Sequence, residues 1–492
     1  MFKKIKIQFA IIVLITLAYS CVSDEGNYNY TDINTINVTG LEENYTVYTG
    51  EHLKLTPHLN PTKDDGSNPD RYSFEWFAVT TVAKNKIATT KDFDDLIKLP
   101  PAKYSVYYFV KDLVTGVTWQ AKPFTLNVIT SIYEGWLIIG EADGKPRLDM
   151  VSIIPGVATP RVINDVLDAS GSALKLGGKA VDVECFGTAL STSTAYGIYI
   201  TSTETGTARI DPDSFGWVQS QNMAYETIGG SFETNFGVDF MKSASPGENI
   251  IYSKGNIYSY YRAGQVKYGL PQNILDTETK TFFAAPFIAE NQGVNGTPVF
   301  FDKDLRRFVR YNLYKGNCSA MPPVTGSETV LDWNNTNCDL VFMTTSAYNS
   351  LENFAVLKNI STGKYYLLRF NKALTQTYYK EILNAPDIDK ATKFAVSPDA
   401  GYLFYSVGGK LYEYDNGIQS AKLMIDRGSE EITYLDFNAR SKTFAKKLIV
   451  GSYNGTLGKL ELYTVPPVNG DLVLDNTYSG LCKIVDVTYR AR

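Results

Sequence analysis

Hydrophobic side chains recur along this chain in two rhythms. Between about Thr35 and Val128 they alternate with polar ones. In "YSFEWFAV", Tyr72, Phe74, Trp76 and Ala78 fall on one face while Ser73 and Glu75 fall on the other, the period-two mark of a half-buried strand. "YSVYYFVKDLVTGVTW" alternates through Tyr104, Val106, Tyr108 and Val110, then turns at Thr115-Gly116 into another strand, which is a hairpin signal. A strand with a central tryptophan followed by a tyrosine-rich strand predicts an immunoglobulin-like β-sandwich over residues 35–130, with Trp76 in its core. No cysteines bracket that tryptophan, so aromatic packing has to replace the usual bridge. The "NPTKDDGSNPD" stretch (Asn60 to Asp70) is rich in oxygen ligands. It lacks the ordered spacing of a calcium loop and reads as a turn.

Past Ser131 a repeating unit takes over. Apolar runs recur at "GWLIIG", "GIYITS", "NIIYS", "TPVFFD", "NFAVLK", "GYLFYS" and "KLIVGS". A second run follows each: "PRLDMVS", "ARIDPDS", "NIYSYYR", "RFVRYN", "YYLLRFN", "KLYEYDN" and "KLELYT". The starts lie roughly 45 to 60 residues apart, the period of a four-stranded blade repeated around an axis. Seven such hairpins predict a seven-bladed β-propeller over residues 131–492, with six or eight blades as the alternatives. Radial closure leaves only short exposed edges in so long an antiparallel chain. The one helical candidate is "NDVLDASGSALKLGG" (Asn164 to Gly178). The expected fold class is therefore all-β, a sandwich followed by a propeller.

The first residues follow another logic. Lys3, Lys4 and Lys6 precede an apolar run from Phe9 to Ala18, the layout of a secretory signal peptide over residues 1–20. That run is too short to cross a bilayer, which takes ~20 apolar residues. Cleavage before Cys21 would free a thiol for acylation, with residues 21–34 as the lipidated linker. Two or more acyl chains hold a protein on a membrane durably. "SDEG" (Ser23 to Gly26) resembles the surface-export tag that follows the lipidated cysteine in Bacteroidota lipoproteins. The expected location is the outer membrane, with the chain facing the exterior.

Composition narrows the function classes. The chain has 492 residues, 44% hydrophobic and 13% aromatic, enough to bury two or three domain cores. A net charge of -5 without a basic tract excludes nucleic acid, which demands clustered Lys and Arg. Both histidines, His52 and His58, lie in the first hundred residues. A Ser-His-Asp or Cys-His mechanism and histidine-ligated zinc are thereby excluded from most of the chain. No cofactor, metal site or catalytic set is expected.

Several residues remain as candidates. Cys318 and Cys338 flank "SAMPPVTGSETVLDWNNTN", a loop that a disulfide between them could close, although sequence alone does not establish pairing. Cys185 and Cys482 sit in apolar runs and read as small core residues. Carboxylates that could serve a glycoside hydrolase include Asp149, Glu184 and Asp239, none in a recognisable pair. "SPDAGYLF", with Ser397, Asp399, Gly401 and Phe404, partly matches the Asp-box of sialidase-type propellers and reads as a hairpin turn. Thirty-four tyrosines suit a binding surface, because Tyr and Trp present rigid faces with a polar tip. Trp217, Trp333 and Tyr348 lie among polar turn residues and are the candidate ligand-binding aromatics.

The opening "CVSDEGNYNYTDINTINV", the strands "YSFEWF" and "YSVYYFVKDLVTGVTW", and the repetitive β-rich remainder together resemble the PKD-like family of surface lipoproteins. The sequence departs from the better-known PKD repeats in having "SFEWFAV" where those carry Trp-Asp-Phe-Gly-Asp. The resemblance implies an accessory subunit at a SusC/SusD-type outer-membrane nutrient importer, holding or presenting an oligopeptide or oligosaccharide. It supplies no catalytic set and no ligand positions. The alternatives are a purely structural subunit docked on the importer, or a propeller glycoside hydrolase working with paired carboxylates.

Overall fold

Strands dominate because apolar side chains alternate or run in short blocks bounded by Gly, Asn and Asp turns. The computed structural model describes residues 32–491 apart from 50, 131, 155–156, 187–196, 230–231, 246–247, 262–265, 291–295, 314, 325–329 and 439–442. The expected signal peptide (1–20), Cys21 and most of the 21–34 linker lie outside the described residues. The chain divides into two compact units, one ending at Thr130 and one running from Ser131 to Arg492.

The first unit contains β1 (Ile36–Thr39), β2 (Asn44–Tyr48), β3 (His52–Leu55), β4 (His58–Pro61), β5 (Tyr72–Val79), β6 (Lys84–Ala88), β7 (Phe93–Leu96), β8 (Ala102–Asp112), β9 (Thr118–Gln120) and β10 (Phe124–Ile129). A six-stranded sheet runs β2-β10-β8-β5-β6, with β9 also on β8, and the ribbons β1-β4 and β3-β7 complete the sandwich. One core joins Ile36, Leu55, Leu59 and Phe93 of the ribbons to Trp76, Tyr108 and Leu126 of the sheet. The Trp76 ring lies 4.1 Å from Tyr108 and 6.0 Å from Phe93, and its Nε1 donates to the Thr90 carbonyl at 2.8 Å. Burying about 200 Å² of indole contributes roughly 5 kcal/mol in transfer terms, so aromatic packing does serve in place of a bridge.

The 60–70 stretch is held by protein groups. Amides of Gly66, Ser67 and Asp70 donate to the side chains of Asp64, Asp65 and Asn68, which is turn chemistry. Arg71 pairs with Asp64 at 2.9 Å and with the fully buried Asp112 at 3.1 Å. Asn34 donates to Asp112 at 3.0 Å and to the Tyr72 hydroxyl at 2.8 Å. The Arg71 guanidinium thus neutralises the carboxylates of Asp64 and Asp112.

The second unit is a β-propeller. Its strands are β11 (Glu134–Ala142), β12 (Lys145–Ile153), β13 (Arg161–Ile163), β14 (Ala180–Phe186), β15 (Gly197–Ser202), β16 (Gly206–Ile210), β17 (Phe240–Ser245), β18 (Glu248–Ser253), β19 (Asn256–Tyr261), β20 (Val299–Asp302), β21 (Arg307–Asn312), β22 (Asn317–Ala320), β23 (Cys338–Ser346), β24 (Glu352–Asn359), β25 (Tyr365–Asn371), β26 (Gln376–Glu381), β27 (Lys393–Val396), β28 (Leu403–Val407), β29 (Lys410–Asp415), β30 (Ser420–Asp426), β31 (Glu431–Phe437), β32 (Lys447–Tyr453), β33 (Gly458–Thr464), β34 (Val473–Leu481) and β35 (Lys483–Arg490). They form seven antiparallel sheets among the described residues: β35-β11-β12-β13, β14–β16, β17–β19, β20–β22, β23–β26, β27–β30 and β31–β34. Bridges from Ala284 and Ala289 to Asp302 and Val299 add an inner edge to the fourth. The innermost strands touch in ring order, β35 meeting both β14 and β31, β14 meeting β17, and β27 meeting β23 and β31. The helical window contracts to one turn, α1 (Val166–Ala169), capped by Asp165.

Closure is made by the last strand pairing with the first. β35 lies antiparallel to β11, with Trp136 opposite Tyr489 and their rings edge to face at 4.8 Å. Gly140 permits the approach, since a Cβ there would stand 2.2 Å from the Lys483 carbonyl. Buried Asp149 fastens the seam, pairing with Arg147 at 2.7 Å and accepting from the Cys482 amide at 2.8 Å.

Candidate functional site

A cleft of about 450 Å³ opens between the second and third blades, within the range of small-molecule sites. The β15–β16 and β18–β19 turns and the segment leading into β17 bound it. Gly206 (φ +76°) lets this segment lie on β16, because a Cβ there would stand 2.3 Å from the Asn235 carbonyl. The Thr207 amide donates to the Phe236 carbonyl at 2.9 Å, the Val238 amide to Thr207 Oγ1 at 3.0 Å, and Ser253 Oγ to the Gly237 carbonyl at 2.8 Å. The segment is thereby fixed to both blades.

Its floor is aromatic. Phe232 and Phe236 stack at 3.7 Å and 10°, with Tyr258 edge-on at 5.0 and 5.9 Å. Leu270 and Pro271 flank these rings, and Glu233, Asn235, Asp239, Lys254 and Asn256 supply polar groups. Asp239 accepts from the Lys254 amide at 2.8 Å. Ser202, also in the lining, is fully buried, and among the described residues its Oγ has no hydrogen-bond partner. A second depression of about 460 Å³ beside the β11–β12 turn contains Lys145, Arg147 and Lys175 and no aromatic ring, so the first is the better recognition site.

The propeller axis carries a second concentration of charge. Asp182, Glu184, Asp436 and Asp486 on inner strands, with Glu290, act on the ammonium of Lys242. Asp182 is 6% exposed. Burial first, then Asp486 and Glu184, hold the Asp182 carboxyl well above its ordinary range. Burial raises Asp486 to about 6, opposed by the Val183 amide, which donates to it at 3.0 Å, and by Lys242. Asp436 is raised by burial too. Burial alone would lower the Lys242 ammonium, but Glu290, Asp436, Glu184 and Asp486 outweigh it and raise it. Among the described residues, no group of three or more His, Cys, Asp or Glu side chains could hold a metal ion.

The structure separates the three aromatics singled out by sequence. Trp217 is half-buried against the core of the first two blades and donates to Asn222 at 3.0 Å. Tyr348 is half-buried, lies over Gly401 and faces the Arg369 guanidinium at 4.9 Å. Trp333 is corrected from ligand-binding candidate to core residue. It is 2% exposed and packs edge-on against Phe370 at 5.4 Å and Phe308 at 5.8 Å; polar neighbours in sequence hid a ring directed inward. The Cys318–Cys338 bridge is likewise corrected. Both thiols are free and buried, and they belong to separate cores, Cys318 on β22 and Cys338 on β23. Among the candidate acids, Asp149 is a seam pin, Glu184 faces the axis, and Asp239 enters the cleft. The Ser397–Gly401 stretch is a turn closed by the Gly401 amide on the Ser397 carbonyl at 3.0 Å.

Phe232 and Phe236 were missed, yet "SFETNFGVDF" carries the same signal that selected Trp217, aromatics set among polar turn residues.

A family model is similar to part of the chain. The PKD-like family matches residues 21–175. That span covers the sandwich and runs on into the first propeller blade. No curated protein matches the sequence. Among solved structures, a quinonprotein alcohol dehydrogenase-like protein from Bacteroides thetaiotaomicron is similar at 13% identity, over 91% of this chain and 96% of its own, with a TM-score of 0.46. A protein from Lactobacillus plantarum is similar at 13% identity over 73% of this chain and all (100%) of its own, TM-score 0.44. The extracellular domain of a one-component system from B. thetaiotaomicron is similar at 15% identity over 64% of this chain and 36% of its own, TM-score 0.38.

Proposed function

We propose that this protein is an exported lipoprotein, acylated at Cys21 and facing the exterior of an outer membrane, that binds an oligomeric nutrient for a SusC/SusD-type importer. The observation that carries the binding role is the cleft, with its stacked Phe232 and Phe236 and the polar groups of Asp239, Lys254 and Asn256 around them. A rigid blade scaffold displaying loops is where recognition concentrates. Lipidation is supported by the lysine-led apolar run that ends at Cys21, and the importer association by the resemblance of the leader and sandwich strands to PKD-like surface lipoproteins.

The test is to express the full chain with labelled palmitate in a bacterium that acylates lipoproteins, then purify outer-membrane complexes. Expected results are label in the wild type, none in Cys21→Ser, and co-purification of a TonB-dependent transporter. An unlabelled wild type would remove the anchor. A labelled protein recovered without any transporter would remove the importer role.

A further inference from the structure

The cleft has features that discriminate between ligand classes. Capture of an extended peptide by strand addition needs an unpaired main-chain edge. Here the edges beside the cleft are occupied. On β16, Ala208 bridges Asn222 and the Thr207 amide donates to Phe236. On β19, the Ile257 carbonyl accepts from the Gln272 amide at 2.8 Å. Recognition therefore falls to side chains. A half-buried aromatic floor suits the apolar C–H face of a sugar ring, and carboxylate and amide oxygens suit hydroxyls, which both donate and accept. Glu233 and Asp239 outnumber Lys254 in the lining, which disfavours phosphorylated or sulfated ligands.

We infer that the cleft between the second and third blades binds an uncharged pyranose unit of an oligosaccharide, stacked on the outer face of the Phe232–Phe236 pair with its hydroxyls on Asp239. This rests on the binding reading above and names its cargo.

The experiment uses the full chain on an array of neutral oligosaccharides, with calorimetric titration of the hits and of a tripeptide pool. Phe232→Ala and Asp239→Ala are run alongside, with thermal unfolding to show that each variant folds. The expected result is saccharide binding in the wild type, weakened at least tenfold in both variants at near-native stability. Peptide binding weakened by the same variants would overturn the sugar assignment and keep the binding role. Saccharide binding that both variants leave unchanged would overturn the site. Absence of binding to either pool would overturn the binding role itself.

Discussion

Replacing Asp486 by Asn should stabilise the propeller, and only above mildly acidic pH. Asp486 sits on the closing strand β35 opposite Asp182 of β14, and burial moves its carboxyl from 3.8 to about 6. A group raised in the folded state costs nothing below its unfolded value, and the cost grows as pH climbs through the folded value. The full displacement corresponds to ~3 kcal/mol. Some access to solvent along the axis reduces this, so ~1–3 kcal/mol is expected at pH 7.5 and little at pH 4. In so large a unit this raises the melting temperature by on the order of a few degrees. The asparagine oxygen can still accept the Val183 amide, and its NH2 can donate to Asp182. Scanning calorimetry at the two pH values, with hydrogen exchange on residues 483–490, reads both the magnitude and its location. Equal destabilisation at pH 4 and pH 7.5 would show that the carboxylate is a structural acceptor, and the repulsion argument would fail.

Asp112 behaves in the opposite sense. Burial would raise it, but hydrogen bonds from Asn34, the Val114 amide and Arg71 hold it at about 2, so ~2 kcal/mol of sandwich stability present above pH 4 should drain away as pH falls towards 2. Hydrogen exchange on residues 72–79 should show that loss, and Asp112→Asn should abolish the pH dependence. Trp333→Ala should cost ~3–5 kcal/mol in chemical denaturation while ligand affinity, read on folded protein, stays within twofold. The Cys318 and Cys338 thiols should resist a thiol reagent in the native protein and both react on unfolding; an intact mass two hydrogen atoms lighter than the reduced chain would instead reveal a bridge.

What could be read from sequence follows from which strands are buried on both faces. The seven quoted apolar runs are the second strands of their blades and the runs that follow are the third, from β11 and β12 to β32 and β33. The second strands lie between neighbours in their own sheets and carry the clearest apolar blocks: all six residues of β15 and of β18 are buried. The inner strands escaped notice because one face lines the axis and carries Asp182, Glu184, Lys242, Asp436 and Asp486, which breaks the apolar pattern. The outer strands escaped for the converse reason: β30 and β34 are largely solvated, with Leu423, Val473 and Leu474 exposed. The cleft was the least legible part. Its floor comes from a loop whose aromatics acquire meaning only when Gly206 lets that loop lie on the neighbouring blade.

The pairing of β35 with β11 has a consequence for how the protein is made. Roughly 340 residues separate the two strands, so at ordinary synthesis rates the partner of β11 emerges on the order of 20–70 s after it. Throughout that interval the nascent chain presents an unsatisfied, strongly apolar ladder containing Trp136, Leu137, Ile138 and Ile139, the kind of edge that recruits the wrong strand. The pairing that closes the ring is thus also among its latest, which makes β35 the gatekeeper of folding yield and the place where a chaperone would gain most by intervening.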